Sequence, residues 1–196
     1  MRHWNAEDCA AMPWKNGGGI TTELAIAPQG ATLDNFEWRV SSALVTGSGP
    51  FSHFIGVDRS LAVLQGGALS LQVEDMAGFD LTPASEPFRF RGEQRIWATV
   101  AQGAISDLNV MTRRGSYSHQ LLRLSGATEY LIKRQGALVL VYCAQGSADI
   151  RHAGSVLQLR QGDMLMLDQQ DDIDSLPLQC RGRDVFYVAH LSAQQK

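Results

Sequence analysis

The sequence runs Leu138-Val-Leu-Val-Tyr-Cys-Ala-Gln-Gly-Ser-Ala-Asp-Ile150 in its second half and Leu61-Ala-Val-Leu-Gln-Gly-Gly-Ala-Leu-Ser-Leu71 in its first. Each segment combines an apolar run, a glycine turn and a second apolar run, which is the pattern of two short β-strands. Another short strand and a turn follow in both halves. The spacing of 77 residues between Leu61 and Leu138 predicts a duplicated β module. Two unrelated β-meanders would also look alike, so chance similarity stays open as the alternative.

Strand signals recur along the chain between Gly, Pro, Asp and Ser residues, which favours an all-β sandwich or barrel. The predicted strands are residues 21–27, 37–44, 60–64, 68–73, 87–90 and 105–111 in the first half, and 128–132, 138–143, 147–150, 155–159, 163–167 and 184–191 in the second. One short helix is predicted at 116–124, because Tyr117, Leu121 and Leu124 recur at helical spacing.

The composition excludes several classes of protein. With 44% hydrophobic residues among 196, the chain can bury a sizeable core. The formal net charge of −3 argues against a nucleic-acid partner, which needs a concentrated basic surface. No apolar run approaches the roughly 18 residues of a membrane span, and no signal peptide is expected. Three scattered cysteines, Cys9, Cys143 and Cys180, predict no disulfide framework and a reducing cytoplasm.

The common catalytic and cofactor motifs are missing from the sequence. The five histidines (His3, His53, His119, His152 and His190) show no spacing typical of a metal site, so no metal is expected. The run Asn16-Gly-Gly-Gly19 lacks the remaining residues of a phosphate-binding loop. No Gly-x-Ser-x-Gly nucleophile motif occurs. No cofactor is therefore predicted.

Alternate residues of a strand point to opposite faces, and three predicted strands each have one apolar and one polar face. The polar faces contain Thr21 and Glu23 in the first strand, Arg39 and Ser41 in the second, and Asp107, Asn109, Met111 and Arg113 in the third. Asp and Asn are poor strand residues, so Asp107 and Asn109 indicate a polar cavity where function overrides local preference. A sheet with one face in water is the alternative.

These side chains suit a small carboxylate. Arg39 and Arg113 could bind both oxygens of such a group, and Lys15 would add a positive charge. Glu23 and Asp107 could balance the cations or accept an N–H group of the ligand. Trp14 and Met111 offer polarisable walls for a planar molecule.

Several segments resemble the HutD/Ves family of the cupin superfamily. The matching stretches are Met12-Pro-Trp-Lys-Asn-Gly-Gly-Gly-Ile-Thr-Thr-Glu23, Trp38-Arg-Val-Ser-Ser-Ala43, Gly49-Pro-Phe-Ser-His-Phe-Ile-Gly-Val-Asp-Arg59, Pro87-Phe-Arg-Phe-Arg-Gly-Glu93 and Asp107-Leu-Asn-Val-Met-Thr-Arg113. In addition, Arg160-Gln-Gly-Asp-Met-Leu-Met-Leu167 resembles the second cupin motif. Ile55 departs from the proline expected at its position, which affects only the rigidity of that loop.

The resemblance implies two cupin-like jelly-roll units, 1–115 and 116–196, packed in one compact domain without metal-binding histidines. It implies a ligand-binding protein that tunes histidine catabolism, with urocanate or N-formylglutamate as the natural candidates for the ligand. The expected ligand-binding residues are Trp14, Lys15, Asn16, Thr21, Glu23, Arg39, Ser41, Asp107, Asn109, Met111 and Arg113. A homodimer is a further expectation for the assembly of this protein.

Two other functions remain open at this point. A metal-independent isomerase, epimerase or hydrolase could use Glu23 or Asp107 as a general base, because a carboxylate among apolar walls can have a raised pKa. The sequence offers no His beside Asp that would complete an acid–base pair. The other possibility is a protein-interaction scaffold with a vestigial barrel.

Overall fold

A computed structural model describes residues 1–152 and 154–194 of the chain, and β-strands dominate it. In chain order the strands are β1 (Arg2–Asn5), β2 (Ala11–Pro13), β3 (Gly19–Ala27), β4 (Trp38–Val45), β5 (Gly49–Pro50), β6 (Val57–Gln65), β7 (Leu69–Val73), β8 (Phe79–Leu81), β9 (Phe88–Arg91), β10 (Ile96–Val100), β11 (Ile105–Arg113), β12 (Tyr117–Ser125), β13 (Glu129–Lys133), β14 (Leu138–Gln145), β15 (Ser147–His152), β16 (Ser155–Arg160), β17 (Asp163–Asp168), β18 (Ser175–Gln179) and β19 (Val185–Ala193). One 3-10 turn lies at Ala6–Asp8. The prediction of an all-β protein is confirmed.

The chain forms two compact units. The N-terminal unit contains Cys9–Ser118 together with Gln194, and the C-terminal unit contains Met1–Asp8 and His119–Ala193. The first eight residues fall in the C-terminal unit because β1 pairs with β17. Residues 153, 195 and 196 of the predicted second unit lie outside the described residues.

The two units repeat one strand order. The N-terminal unit has a six-stranded sheet, β2-β3-β4-β11-β6-β9, and a four-stranded sheet, β5-β10-β7-β8. The C-terminal unit has a five-stranded sheet, β1-β17-β14-β19-β12, and the pairs β13-β18 and β15-β16. The order β4-β11-β6-β9 thus recurs as β12-β19-β14-β17, with each strand eight places later in the chain. This repetition confirms the duplicated module and gives each unit a jelly-roll topology.

The helix predicted at 116–124 is wrong, because the strand β12 (Tyr117–Ser125) occupies all of this range except its first residue. His119 and Leu121 are buried while Gln120 between them is exposed, which is the alternation of a strand. The spacing of four residues between Tyr117 and Leu121 fits a helix and a strand equally well. Pairing within the five-stranded sheet selects the strand.

Several strands were absent from the prediction, and β10 is the most important of them. It lies between β5 and β7 and alternates buried Ile96 and Ala98 with exposed Trp97 and Thr99. This alternation was present in the sequence. The strand β10 was not predicted because it is short and because Glu93-Gln-Arg95 before it gives no clear turn signal.

The C-terminal unit is filled by an apolar core that includes Val139, Val141, Leu165 and Phe186. The thiols of Cys143 and Cys180 belong to this core, and burial raises their pKa values to about 12 and 11, so both stay protonated at neutral pH. Two buried carboxylates of this unit stabilise turns. Asp163 accepts a hydrogen bond from the backbone N–H of Arg160, and Asp184 accepts one from the backbone N–H of Arg181.

Candidate functional site

Arg39, Met111 and Arg59 lie side by side on the three central strands of the six-stranded sheet. Met111 on β11 is opposite Arg39 on β4 and opposite Arg59 on β6. Because cross-strand partners point to the same face of a sheet, the two guanidinium groups flank the Met111 side chain on one face. All three residues are buried.

Two further rows extend this face. Asn109 is opposite Ser41 and Leu61, and Asp107 is opposite Ala43 and Val63. The face continues into an apolar core that contains Leu61, Val63 and Ile105 together with residues of the four-stranded sheet. The polar face predicted for these strands therefore points inward, and the alternative of a sheet face in water is wrong for this part of the molecule. We call the residues Glu23, Arg39, Ser41, Arg59, Asp107 and Asn109 the polar cluster.

Arg39 is held by two partners within the polar cluster. Its Nε donates to Glu23 Oε2 at 2.8 Å and its Nη1 donates to Ser41 Oγ at 3.1 Å. Glu23 lies opposite Ser41 on the neighbouring strand β3, next to a bulge between Glu23 and Ala25. The ion pair neutralises Arg39 and aligns its guanidinium along the sheet.

Arg59 is enclosed by three aromatic rings. Its guanidinium carbon lies 5.3 Å from the ring centre of Phe51, 5.4 Å from that of Phe54 and 4.8 Å from that of Phe90, so each ring face attracts the cation. Nη1 donates to the Ser52 carbonyl at 3.2 Å. Among the described residues, the buried Nε of Arg59 has no hydrogen-bond partner.

Burial lowers the pKa of Arg59 to about 10. The nearby Asp107 carboxylate acts in the opposite direction by favouring the charged form, and the positive charge of Arg39 lowers the pKa further. The side chain still remains protonated at neutral pH. An unpaired donor on a buried cation costs free energy, since a buried N–H without a partner forfeits its hydration. Arg59 thus presents one free donor to any acceptor that can reach it.

Asp107 carries the second carboxyl of the polar cluster and is buried. Burial raises its pKa to about 7, while the Arg59 cation and a backbone hydrogen bond from Ala43 act in the opposite direction. Near neutral pH this carboxyl is therefore divided between its protonated and ionised forms.

Asn109 offers an acceptor to complement the donor of Arg59. Its Oδ1 is buried and finds no hydrogen-bond partner within residues 1–152 and 154–194. The residue lies between Asp107 and Met111 along β11 and on the same face. One unused donor and one unused acceptor thus face the same interior, as expected of a site that binds a polar molecule.

The predicted residues of the glycine loop make local contacts or are exposed. Trp14 Nε1 donates to Thr21 Oγ1 at 2.7 Å, and Asn16 Oδ1 accepts from the Gly18 backbone at 3.1 Å. Lys15 is exposed. The first hydrogen bond connects Trp14 to Thr21, and the second closes a turn at Asn16. The side chain of Lys15 extends into solvent.

The two remaining predicted residues, Met111 and Arg113, make packing and anchoring contacts. Met111 belongs to a small apolar cluster with Phe36 and Val57. Arg113 donates from Nε to the Phe36 carbonyl at 2.9 Å and from Nη2 to the Asp34 carbonyl at 2.8 Å. Its guanidinium lies 5.3 Å from the Phe36 ring centre. Through these contacts Arg113 anchors the segment around Asp34 and Phe36, which precedes β4.

Sequence reasoning missed Arg59. The predicted strand began at residue 60, whereas β6 begins at Val57, so Arg59 fell outside the alternation test. Arg59 is two residues from Leu61 and four from Val63, so a strand predicted from residue 57 would have placed Arg59 on the same face as these two buried residues. The aromatic residues around it come from residues 51–56, which we call the aromatic loop, and from β9.

Gly92 fixes the aromatic loop against the sheet. It donates to the Val57 carbonyl and accepts from the Phe54 backbone at 2.9 Å. A Cβ at this position would lie 2.5 Å from the Phe54 carbonyl oxygen and 3.0 Å from the Phe54 Cβ. The close approach therefore requires glycine.

We expect Gly92→Ala to displace Phe54 from Arg59 and to destabilise the protein by about 1–3 kcal/mol, the usual cost of overpacking. Thermal unfolding should show a Tm lower by roughly 2–4 °C for each kcal/mol. Gly49→Ala is the matched control, because a Cβ at Gly49 would meet nothing within 4 Å. Equal Tm values for the two variants would contradict the role assigned to Gly92.

Two depressions on the N-terminal unit are lined by residues other than those of the polar cluster. One, of about 580 Å³, surrounds the exposed Trp97 with Pro50 and Met76 at its edge. The other, of about 570 Å³, is bordered by Asp58, Arg89 and Arg91. Asp58 and Arg89 are paired at 3.3 Å. The polar cluster is the better candidate, because its unused donor and acceptor are buried.

The described residues contain neither a group of metal-ligating side chains nor a membrane-spanning helix. Among residues 1–152 and 154–194, no group of three or more His, Cys, Asp or Glu side chains could hold a metal ion. Within the same residues, no helix has the length and apolar character needed to cross a bilayer.

The chain resembles known proteins over most of its length. It is 34% identical over 177 residues to an uncharacterised 21.2 kDa protein in the hutC 3′ region of Pseudomonas putida, which covers 90% of this chain and 91% of the relative. It is 38% identical over 139 residues to protein Ves of Citrobacter koseri, with 68% and 70% covered.

Solved structures agree with this resemblance. HutD from Pseudomonas fluorescens SBW25 superposes with a TM-score of 0.82 at 29% identity and with 99% of each chain covered. The oxalate decarboxylase of Lactobacillus farciminis superposes with a TM-score of 0.63 at 8% identity, covering 96% of this chain and 85% of that one. At that identity the second likeness shows only a shared cupin-type fold.

The HutD family model matches residues 6–187. This range contains the polar cluster and the aromatic loop, and it spans most of both repeated units. The chain belongs to the HutD family.

Proposed function

We propose that this protein binds a small anionic metabolite of histidine catabolism at the polar cluster and thereby tunes that pathway, without chemistry of its own. Urocanate and N-formylglutamate are the proposed ligands. The observation that carries the proposal is that the free Nε donor of buried Arg59 and the free Oδ1 acceptor of Asn109 belong to residues on one face of the sheet.

The charges of the polar cluster support an anion. Arg39 and Arg59 bring two positive charges, Glu23 brings one negative charge, and Asp107 is only partly ionised near neutral pH. A carboxylate on the Nε edge of Arg59 would complete its hydrogen bonding, and an N–H group of the ligand could donate to Asn109 Oδ1. Urocanate and N-formylglutamate each have a carboxylate and a polar nitrogen group.

The relatives support the metabolic assignment. The similar protein of Pseudomonas putida lies in the hutC 3′ region, and a HutD protein shares the fold over its whole length. The free thiols of Cys9, Cys143 and Cys180 suit a reducing cytoplasm, which we propose as the location. A homodimer stays a prediction.

Titration calorimetry at pH 7 with N-formyl-L-glutamate, urocanate and the neutral dimethyl ester of N-formylglutamate tests the proposal. We expect heat of binding for at least one of the two anions and none for the ester. Binding of the ester as tightly as the acid, or no binding of either anion, would rule the proposal out.

We expect Arg39→Ala to weaken binding at least about tenfold, because one cation is lost and Glu23 is left without its partner. The effect should be smaller than a full loss of binding, since Glu23 already neutralises Arg39. Arg95→Ala is the control, because Arg95 is exposed on the same unit and lies outside the cluster. Equal affinities for the two variants would remove Arg39 from the site.

A metal-independent enzyme is the second candidate, and one observation favours it. The carboxyl of Asp107 has a pKa of about 7, which suits a general base at neutral pH. Incubation of urocanate and N-formylglutamate with the protein, without added metal and followed by mass spectrometry, separates the two candidates. A new product that is lost in Asp107→Asn would favour the enzyme.

A further inference from the structure

The buried carboxyl of Asp107 lies on the same face of the sheet as the guanidinium groups of Arg39 and Arg59. The charge of Arg59 acts on Asp107, and the charge of Arg39 acts on Arg59. Glu23 on β3 faces the same interior but keeps its ion pair with Arg39, at 2.8 Å. The four-stranded sheet that packs on this face contributes apolar residues to the core, including Leu71, Val73 and Ile96.

The charge of the polar cluster therefore depends on one group. With Asp107 ionised, two carboxylates balance two guanidinium groups, so any entering carboxylate adds an uncompensated negative charge to the buried cluster. With Asp107 protonated, the cluster has one positive charge in excess, which neutralises one carboxylate of the ligand. A buried excess charge is costly, because a low-dielectric interior solvates it poorly.

Asp107 and a ligand carboxylate also compete for the same cation. Arg59 has Asp107 as its acidic neighbour, and its free Nε is the donor that an anion would use. An ionised Asp107 attracts Arg59 and repels the ligand. Both effects favour the protonated form of Asp107 in the occupied site.

We propose that an anionic ligand enters the polar cluster together with one proton from solvent, which the carboxyl of Asp107 takes up while the free Nε of Arg59 donates to the ligand. This inference rests on the proposed function, and it makes Asp107 the residue that sets how affinity depends on pH.

The direction of the pH dependence follows. The pKa of Asp107 in the empty site is about 7, so below pH 7 the proton is already present. Above pH 7 it must be taken up on binding, and affinity should fall about tenfold for each further pH unit. Between pH 6 and pH 9 the affinity should decrease about a hundredfold.

N-formyl-L-glutamate is the appropriate probe, because its carboxylates stay ionised from pH 6 to pH 9, whereas the imidazole of urocanate titrates near this range. Calorimetry at pH 8 in Tris and in triethanolamine measures proton uptake, since the two buffers differ in ionisation enthalpy. We expect close to one proton taken up per ligand at pH 8 and close to none at pH 6.

Asp107→Asn provides a second test. This variant should bind N-formyl-L-glutamate with an affinity that stays constant from pH 6 to pH 9, and about a hundredfold more tightly than wild type at pH 9. Asp80, an exposed carboxylate on β8 of the same unit, lies outside the polar cluster, so Asp80→Asn should keep the wild-type pH profile.

The outcomes are distinct. Binding with equal heats in both buffers and a flat pH profile in the wild-type protein would overturn the inference and leave the proposed function standing. No binding at any pH between 6 and 9 would overturn the proposed function and the inference with it. The buffer comparison uses only wild-type protein, so it decides the question even if Asp107→Asn does not fold.

Discussion

Arg59→Met is expected to lower the affinity for N-formyl-L-glutamate by roughly 2–5 kcal/mol, which corresponds to about 30-fold to several thousandfold. Arg59 is the buried cation whose Nε has no partner within the described residues, so a ligand carboxylate gains most there. Methionine is an unbranched, apolar side chain and can still pack among the Phe51, Phe54 and Phe90 rings.

The Arg59→Met variant should retain its fold. A buried cation is replaced by an apolar side chain of similar volume, and such replacements are often neutral or stabilising. The carboxyl of Asp107 loses its cationic neighbour, so its pKa should rise and it should stay protonated at neutral pH. Circular dichroism and thermal unfolding check the fold, and calorimetry at pH 7 checks the affinity.

Arg95→Met provides the control for this experiment, since Arg95 is 78% exposed and its nearest acidic partner, Glu74, lies 4.0 Å away. Its affinity should match that of the wild-type protein. A folded Arg59→Met variant that binds as tightly as Arg95→Met would show that the anion is not held by Arg59. The ligand would then have to use Arg39 alone.

Phe186→Ala is expected to destabilise the protein by about 3–5 kcal/mol, the usual cost of deleting a buried aromatic side chain. Phe186 is fully buried on β19, opposite Cys143 in the middle of the five-stranded sheet. Its ring packs in the apolar core of the C-terminal unit with Val139, Val141 and Leu165. Removing it leaves a cavity that the surrounding strands can close only in part.

Urea unfolding measures this loss, and thermal unfolding should show a Tm lower by roughly 2–4 °C per kcal/mol. Val156→Ala is the control in the same unit, because Val156 is 56% exposed and its replacement should change stability by less than about 0.5 kcal/mol. A loss below about 1 kcal/mol for Phe186→Ala would mean that the core around β19 is loosely packed.

Much of the fold was predictable from local sequence. Apolar runs and glycine turns identify most strands, because the period of two and the conformational demands of turns are local properties. The repeat from Leu61 to Leu138 predicted the duplication, which appears as the recurring order β4-β11-β6-β9 and β12-β19-β14-β17. The same local rule failed at β12, where a spacing of four residues fits both a helix and a strand.

For the site, alternation alone placed Glu23, Arg39, Asp107 and Asn109 on the polar faces of their strands, since side chains two apart share a face wherever the strand lies. It could not say that Arg113 would donate to the carbonyls of Asp34 and Phe36, or that Lys15 would be exposed. It also could not place Arg59 among three aromatic rings. Those outcomes depend on strand pairing and burial between residues distant in the chain, and burial determines which charges lose their water and which donors stay free.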